Sequence, residues 1–501
     1  MTVGSRNRCR VIVVGAGNAA LCAALAAREA GASVLVLERA PIDERGGNTA
    51  FTAGAMRFAY DSVQEIMELV PDLSENDLAV TDFGAYPQHA FYEDLARVTE
   101  YRTDPDLADC LVSQSLDTLR WMKSHGVRFM PIYGRQAFKV DGRFRFWGGL
   151  ILEVSGGGKG LVDTLFAAAE RDGIEIAYEA RAVDLLMRDG RTAGVRVIRS
   201  GRTEEVIPCD AVVLASGGFE ANTEWRTRYL GPGWDLAKVR GSRYNFGDGI
   251  RMAIDAGAQP WGQWSGAHAV GWDFNAPAFG DLVVGDGFQK HSYPFGILVN
   301  ARGARFVDEG ADFRNYTYAK YGREILRQPG QIAWQIFDSQ VTHLLRDEYR
   351  IKTVSKVKAN TIAELARGMD GVDQDRLIAT IHEFNESVRT DMEFDPNTRD
   401  GRGTRGLTIN KSNWANPIVS PPFEAYAVTC GITFTFGGVQ IDTESQVLDT
   451  RQRVIPGLFA CGEMVGGIFY FNYPGGSGLT SGSVFGRIAG RTAAEFAAGL
   501  G

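Results

Sequence analysis

Apolar and polar positions change period early in this 501-residue chain. Residues 10–14 form a β-branched apolar run, too short for a helix and suited to a buried parallel strand. Residues 21–30 are alanine-rich and helix-favouring, and Gly31 supplies a stop. Residues 33–37 repeat the strand pattern and end on an acid, Glu38. This predicts a strand–helix–strand unit with Gly15, Gly17 and Ala20 at the turn and the acid about 20 positions beyond it, the arrangement of a dinucleotide fingerprint.

Each position has a physical task. Gly15 permits the tight turn, Gly17 lets backbone approach a pyrophosphate, and Ala20 lets helix and strand pack closely. Free N–H groups at the helix start, near Asn18 and Ala19, favour phosphate. Glu38, followed by Arg39, can accept hydrogen bonds from both hydroxyls of an adenosine ribose.

Further along, Gly46 and Gly47 lead through Asn48 and Thr49 to Gly54, a small-residue loop suited to lying against a flat cofactor. Residues 61–69 and 107–125 carry helical periodicity, with Asp104-Pro105 as a start signal. Aromatic and basic residues crowd 128–147, which reads as an insertion on the cofactor domain or as part of a pocket wall. The glycines of 156–160 precede a helix over 161–171 but lack P-loop spacing. Short strands are predicted at 174–177, 180–186, 193–198 and 204–207. Another buried parallel strand, 210–215, ends in Ser216-Gly217-Gly218, at the sheet edge where nucleotides sit. A Gly-Asp-Gly turn around Asp248 opens a helix to Ala256.

Between about 261 and 430 no second fingerprint occurs. Strands (297–300, 332–337) mix there with helices (361–368, 372–388), and 391–403 reads as an exposed polar loop. The predicted organisation is 1–265 and 433–501 as two parts of a cofactor domain, with 266–432 inserted. The C-terminal part returns to cofactor chemistry. A strand over 458–461 meets Gly462-Glu463, and Gly475, Gly476, Ser477, Gly478 and Leu479 open a helix to Ala498 whose N–H groups would favour an anion.

Composition narrows the classes. The length suits two domains. The net charge of −8 argues against a nucleic-acid surface. Six cysteines lie scattered without a C-x-x-C, which excludes c-type haem, argues against iron–sulfur or zinc, and fits reduced thiols in a cytoplasm. No metal site is predicted. No apolar stretch approaches a membrane span, and residues 11–14 enter a strand rather than a signal-peptide core.

The motifs at 15–20, 46–49, 215–219, 247–249, 305–309, 435–438 and 462–463 together resemble the flavoprotein family of fumarate reductase and succinate dehydrogenase flavoprotein subunits, across nearly the whole chain. Segments 17–24, 136–139, 146–149 and 469–491 are most similar to its FAD-dependent tricarballylate dehydrogenases. The resemblance implies an α/β fold: a Rossmann-type FAD-binding domain (GR2-like) with an inserted α+β capping domain. It implies non-covalent FAD, because Asn48 stands where covalent members have histidine. It assigns the cofactor to the residues named above and to Val183, Ala215, Ser216, Gly217 and Asp248, with Glu463 on ribityl or ribose hydroxyls. The helix at 477 would stabilise the negative charge of a reduced flavin.

The resemblance implies a catalytic set of Arg314 as acid/base and His268 on substrate, with Tyr473 beside them. His291, Thr433, Thr435 and Gly475 are assigned to substrate. Two family residues are missing: a histidine is replaced by Thr433 and a carboxylate-clamping arginine by Tyr473. Arg314, Lys290, His291 or Arg243 would then receive carboxylates, or the substrate is less charged. The expected reaction is dehydrogenation of a carboxylic acid, tricarballylate giving cis-aconitate. Tyr470 and Tyr473 partly resemble 3-ketosteroid Δ1-dehydrogenases, which act on neutral substrates, and a flavin-bearing electron-transfer subunit is a third class. Lack of a second fingerprint argues against NAD(P)H and for a quinone or partner protein as electron acceptor.

Overall fold

Val11–Val14 and Val34–Leu37 are wholly buried and lie parallel, with the helix Asn18–Glu29 between them in sequence. The structure is a computed structural model and describes residues 11–200 and 203–500; Arg10, expected in the first strand, and Cys9 lie outside the described residues. Strands apolar on both faces need cover on both sides. They form a six-stranded sheet in the order 446–448, 454–460, 211–214, 11–14, 34–37, 175–177, parallel except for its first edge strand.

The two ends of the chain also meet through helices. Ser477–Gly499 crosses Asn18–Glu29 at backbone contact: a Cβ on Gly490 would stand 2.1 Å from the Ala23 carbonyl oxygen. Asn18 Nδ2 donates to Leu479 O and Ser483 Oγ, both at 2.9 Å. The small residues of both helices therefore serve close packing as well as flexibility.

A second sheet contains 238–239, 423–439, 333–337 and 297–300, with 260–273 and 356–359 also paired to 423–439. The expected boundaries at 265/266 and 432/433 fall inside Pro260–Asp273 and Phe423–Val439, which pair with each other. Chain thus enters and leaves residues 266–432 within a hydrogen-bonded ribbon. That ladder shifts register between Gln263 and Ala267 and again between His268 and Ala269.

Local differences from the sequence pattern have local causes. The helix expected over 107–125 is two helices, Pro105–Ser113 and Ser115–Ser124. Ser115 Oγ donates to Val112 O (2.8 Å) and accepts from Ala59 N (3.0 Å), a competition that favours a break. The helix Gly157–Arg171 starts four residues before the predicted 161, because its glycines fit beneath the glycine-pair loop: a Cβ on Gly158 would stand 1.9 Å from Thr49 O. The 391–403 segment is partly covered; Asn397 is buried and bonds the Phe138 N–H (3.0 Å) and carbonyl (2.9 Å).

Candidate active site

A cleft opens at the carboxyl edge of the first sheet. Gly15, Gly17, Asn18, Ala19, Glu38, Arg39, Gly47, Asn48, Thr49, Ala215, Ser216, Gly217, Asp248 and Glu463 line it. Glu38 is buried and accepts from Ala40 N (2.7 Å); burial pushes its carboxyl up to about 7. Asp248 is held by Arg39 (2.9 Å) and Arg181 (2.8 Å), so these two cations share one carboxylate. The cleft continues into a cavity through shared walls at Asn18, Ala19, Asn48, Thr49 and Glu463.

At this junction Asn48 uses its whole amide on protein. Its Nδ2 donates to Thr433 O (2.8 Å) and to Glu220, and its Oδ1 accepts from Ser242 N (2.9 Å). Burial raises the Glu220 carboxyl, and burial beside Glu220 holds Glu463 well above the usual carboxylate range. Glu463 also accepts from Thr435 N at 2.8 Å.

The cavity and the open space at its mouth together span about 1260 Å³. His268, His291, Arg314, Thr433, Thr435, Tyr473, Gly462, Gly476, Gly478 and Leu479 line it. His268 sits among aromatic rings, with centroids 4.9 Å from Tyr473, 5.0 Å from Tyr318 and 5.2 Å from Phe434. Both its ring nitrogens lack partners among the described residues, and burial holds its pKa well below the usual value, so the imidazole is neutral. The Tyr318 and Tyr473 hydroxyls bond each other, and burial raises both phenols.

Arg314 is buried at the start of the turn Arg314–Tyr316 and donates to the Arg135 carbonyl (2.5 Å). Among the described residues no carboxylate reaches it within ion-pair distance. Burial and the neighbouring Arg346 push its pKa down to about 9. Arg346 is paired to Glu348 (2.7 Å), and Arg135 to Asp286 (2.7 Å).

Several expected site residues stand behind these walls. Ala20 is buried in its helix, Gly46 packs on Val162, and Gly54 lies against Gly157. Val183 offers its carbonyl to Arg251; Ser477 caps its own turn by donating to Pro474 O (2.6 Å). Gly475 spends its N–H on Asn315 O and its carbonyl on Arg57. Two suggested carboxylate receivers are committed elsewhere. Lys290 is fully buried against Asp273 (3.4 Å) and Glu348 O (2.9 Å), while Arg243 is exposed beside Glu44 (3.6 Å). The sequence reading missed Arg240, Gln289, Tyr318 and Arg346, and it placed Arg135 and Gln136 in a stretch of open purpose; all six line the cavity.

A family model described as FAD binding domain matches residues 10–479. The chain belongs to that family. It is 31% identical to the probable fumarate reductase Ifc3 of Shewanella frigidimarina (strain NCIMB 400), over 99% of this chain and 76% of that protein. A solved open conformation of a flavocytochrome c3 fumarate reductase superposes with a TM-score of 0.71 at 28% identity, covering 99% and 79% of the two chains. The 3-ketosteroid Δ1-dehydrogenase of Sterolibacterium denitrificans shares the fold, with a TM-score of 0.74 at 21% identity, covering 98% and 100%. The chain is thus an FAD-dependent oxidoreductase of the class acting on CH–CH groups.

The residues present fit FAD. A Cβ on Gly17 or Gly47 would meet no protein atom closer than 3.6 Å and would project into the cleft, so these positions leave space for a ligand. Glu38 lines the cleft as a hydroxyl acceptor; at the helix start the Asn18 N–H is taken by Thr49 Oγ1 (3.1 Å), which leaves those of Ala19 and Ala20 for phosphate.

Proposed function

We propose that this flavoprotein forms a C=C bond beside a carboxylate, by dehydrogenating a polycarboxylic acid of which tricarballylate, giving cis-aconitate, is the leading candidate. The observation that carries this reading is Arg314, a buried guanidinium on the cavity wall without an acidic partner among the described residues. A buried cation of this kind is costly unless an anion completes it.

Glu38, Glu463 and the N-termini of the two crossing helices would hold FAD, with Asn48 in the wall and no covalent bond, because its amide is not a nucleophile and is engaged by protein. Bound FAD supplies the acceptor for the hydride lost from the substrate's β-carbon. Arg314 takes the α-proton at a nitrogen of its neutral guanidine, a form its lowered pKa makes accessible, and the guanidinium so formed pairs with the substrate carboxylate. Neutral His268 can donate one hydrogen bond and accept another beside the reacting carbons. The surrounding rings exclude water. Reoxidation by a quinone or partner protein is supported by the single dinucleotide fingerprint. Cys22, Cys110, Cys430 and Cys461 are unbridged thiols, which supports a cytoplasmic setting.

The test is anaerobic addition of tricarballylate to the purified flavoprotein. Bleaching of the flavin absorbance in the isolated chain supports both the substrate and an enzyme that works alone. No bleaching sinks the substrate. A second reading, dehydrogenation beside a ketone in a less charged substrate, draws on the Tyr318–Tyr473 hydroxyl pair. Competitive inhibition by citrate would count against that reading, and indifference to citrate would favour it.

A further inference from the structure

Arg240 is a second cation on the cavity wall, and it reaches the wall from a different part of the fold. It follows the short strand Lys238–Val239, and its N–H donates to Ile432 O at 2.8 Å, fixing its backbone beside the ribbon. The next residue, Gly241, is pressed onto the glycine-pair loop: a Cβ there would stand 2.2 Å from Asn48 Oδ1. Arg240 is therefore fixed where the second sheet meets the glycine-pair loop, whereas Arg314 comes from the turn Arg314–Tyr316.

Its charge is only partly compensated: it acts on Asp286, but that carboxylate is ion-paired to Arg135 at 2.7 Å. The residue is 6% exposed and Nε has no hydrogen-bond partner. Among the described residues its side chain makes no ion pair, and the Trp272 ring, 5.7 Å away, is a weak substitute for one. Arg135 and Arg346 each have a carboxylate, and Arg314 has a carbonyl. The charge of Arg240 acts on His268, His291, Tyr318 and Tyr473. It thus faces the same space as Arg314, in a cavity where Tyr473 stands in place of a carboxylate-clamping arginine.

We propose that Arg240 binds a second substrate carboxylate, so that the site selects acids carrying carboxylates on separate carbons, one toward Arg314 and one toward Arg240. This rests on the anionic-substrate reading above. It assigns a specificity-determining role to a residue outside the motifs of the family resemblance. The two guanidiniums would hold the acid from two separate segments of the wall, fixing which C–C bond lies between them.

Calorimetric titration of the FAD-loaded protein with tricarballylate and with glutarate tests it. In R240Q both acids are expected to bind about 100-fold more weakly, with the visible flavin spectrum and melting temperature unchanged. R240K, which keeps the charge and loses the planar fork, is expected to lose about 10-fold and so restore part of the affinity. If the unaltered protein binds neither acid, the anionic-substrate reading fails. If it binds them and R240Q binds equally tightly, only the role of Arg240 fails. Should R240Q lose FAD, R240K decides alone, and unchanged affinity in it overturns the proposal.

Discussion

The cleft at Gly15 and the cavity at Arg314 are both built for anions, but from different materials. In the cleft the donors are backbone N–H groups at a helix start, and the side-chain cations Arg39 and Arg181 both bind the one carboxylate of Asp248. In the cavity the donors are guanidiniums, and two of them, Arg240 and Arg314, have no carboxylate partner among the described residues. Backbone donors need glycine at fixed offsets and therefore leave a contiguous motif. Side-chain donors need only that the fold bring them together.

The contrast can be broken at several points. Arg314→Ala should lower the rate of flavin reduction by roughly 10²–10⁴-fold, the range for loss of a general acid or base, while FAD stays bound. Retained turnover would remove Arg314 from the chemistry.

Glu38→Gln addresses the other region. It should weaken FAD binding by roughly 10–100-fold, as expected for one charge-assisted hydrogen bond, and leave the acid affinity of the remaining holoenzyme alone. Burial lifts the Glu38 carboxyl from 4.5 to about 7. The folded, cofactor-free protein therefore holds this proton more tightly than the unfolded chain. Stability is lost as pH rises from 4.5 through 7, by about 3 kcal/mol once complete. Without cofactor, Glu38→Gln should then melt higher than the parent at pH 8, the gap closing toward pH 4.5. A gap independent of pH would contradict this.

Tyr473→Phe should cost less than about 10-fold in flavin reduction, since neutral His268 and cationic Arg314 remain. A larger loss would shift weight to the ketone reading. Arg243→Ala, exposed and paired only with Glu44, should alter stability by less than about 0.5 kcal/mol and leave KM unchanged.

How much of this could be read from the sequence follows from the same difference. The nucleotide-binding turn, the glycine pair and the glycine–acid turn at Glu463 are each readable because every residue sits within a few positions of its partners. The parallel strands were legible from their unbroken apolar runs. Arg240 carried no such mark: one arginine ahead of a Gly-Asp-Gly turn has no period and no spacing, and only pairing of Val239 with Ile432 brings it to His268. Lys290 and His291 show the converse. They are adjacent in sequence, yet the first is bonded to Asp273 and the second lines the cavity. The split at Gln114 was hidden because Ser115 is bound to Ala59, a residue 56 positions away.

The paired strands Pro260–Asp273 and Phe423–Val439 carry the chain into and out of residues 266–432, so that stretch is not slung on loose tethers. Moving it would mean bending a hydrogen-bonded ladder, which yields most readily where its rungs are already out of step. One such step adjoins His268. A bend there would turn the imidazole, so the place of that ring in the cavity is tied to the shape of the ribbon.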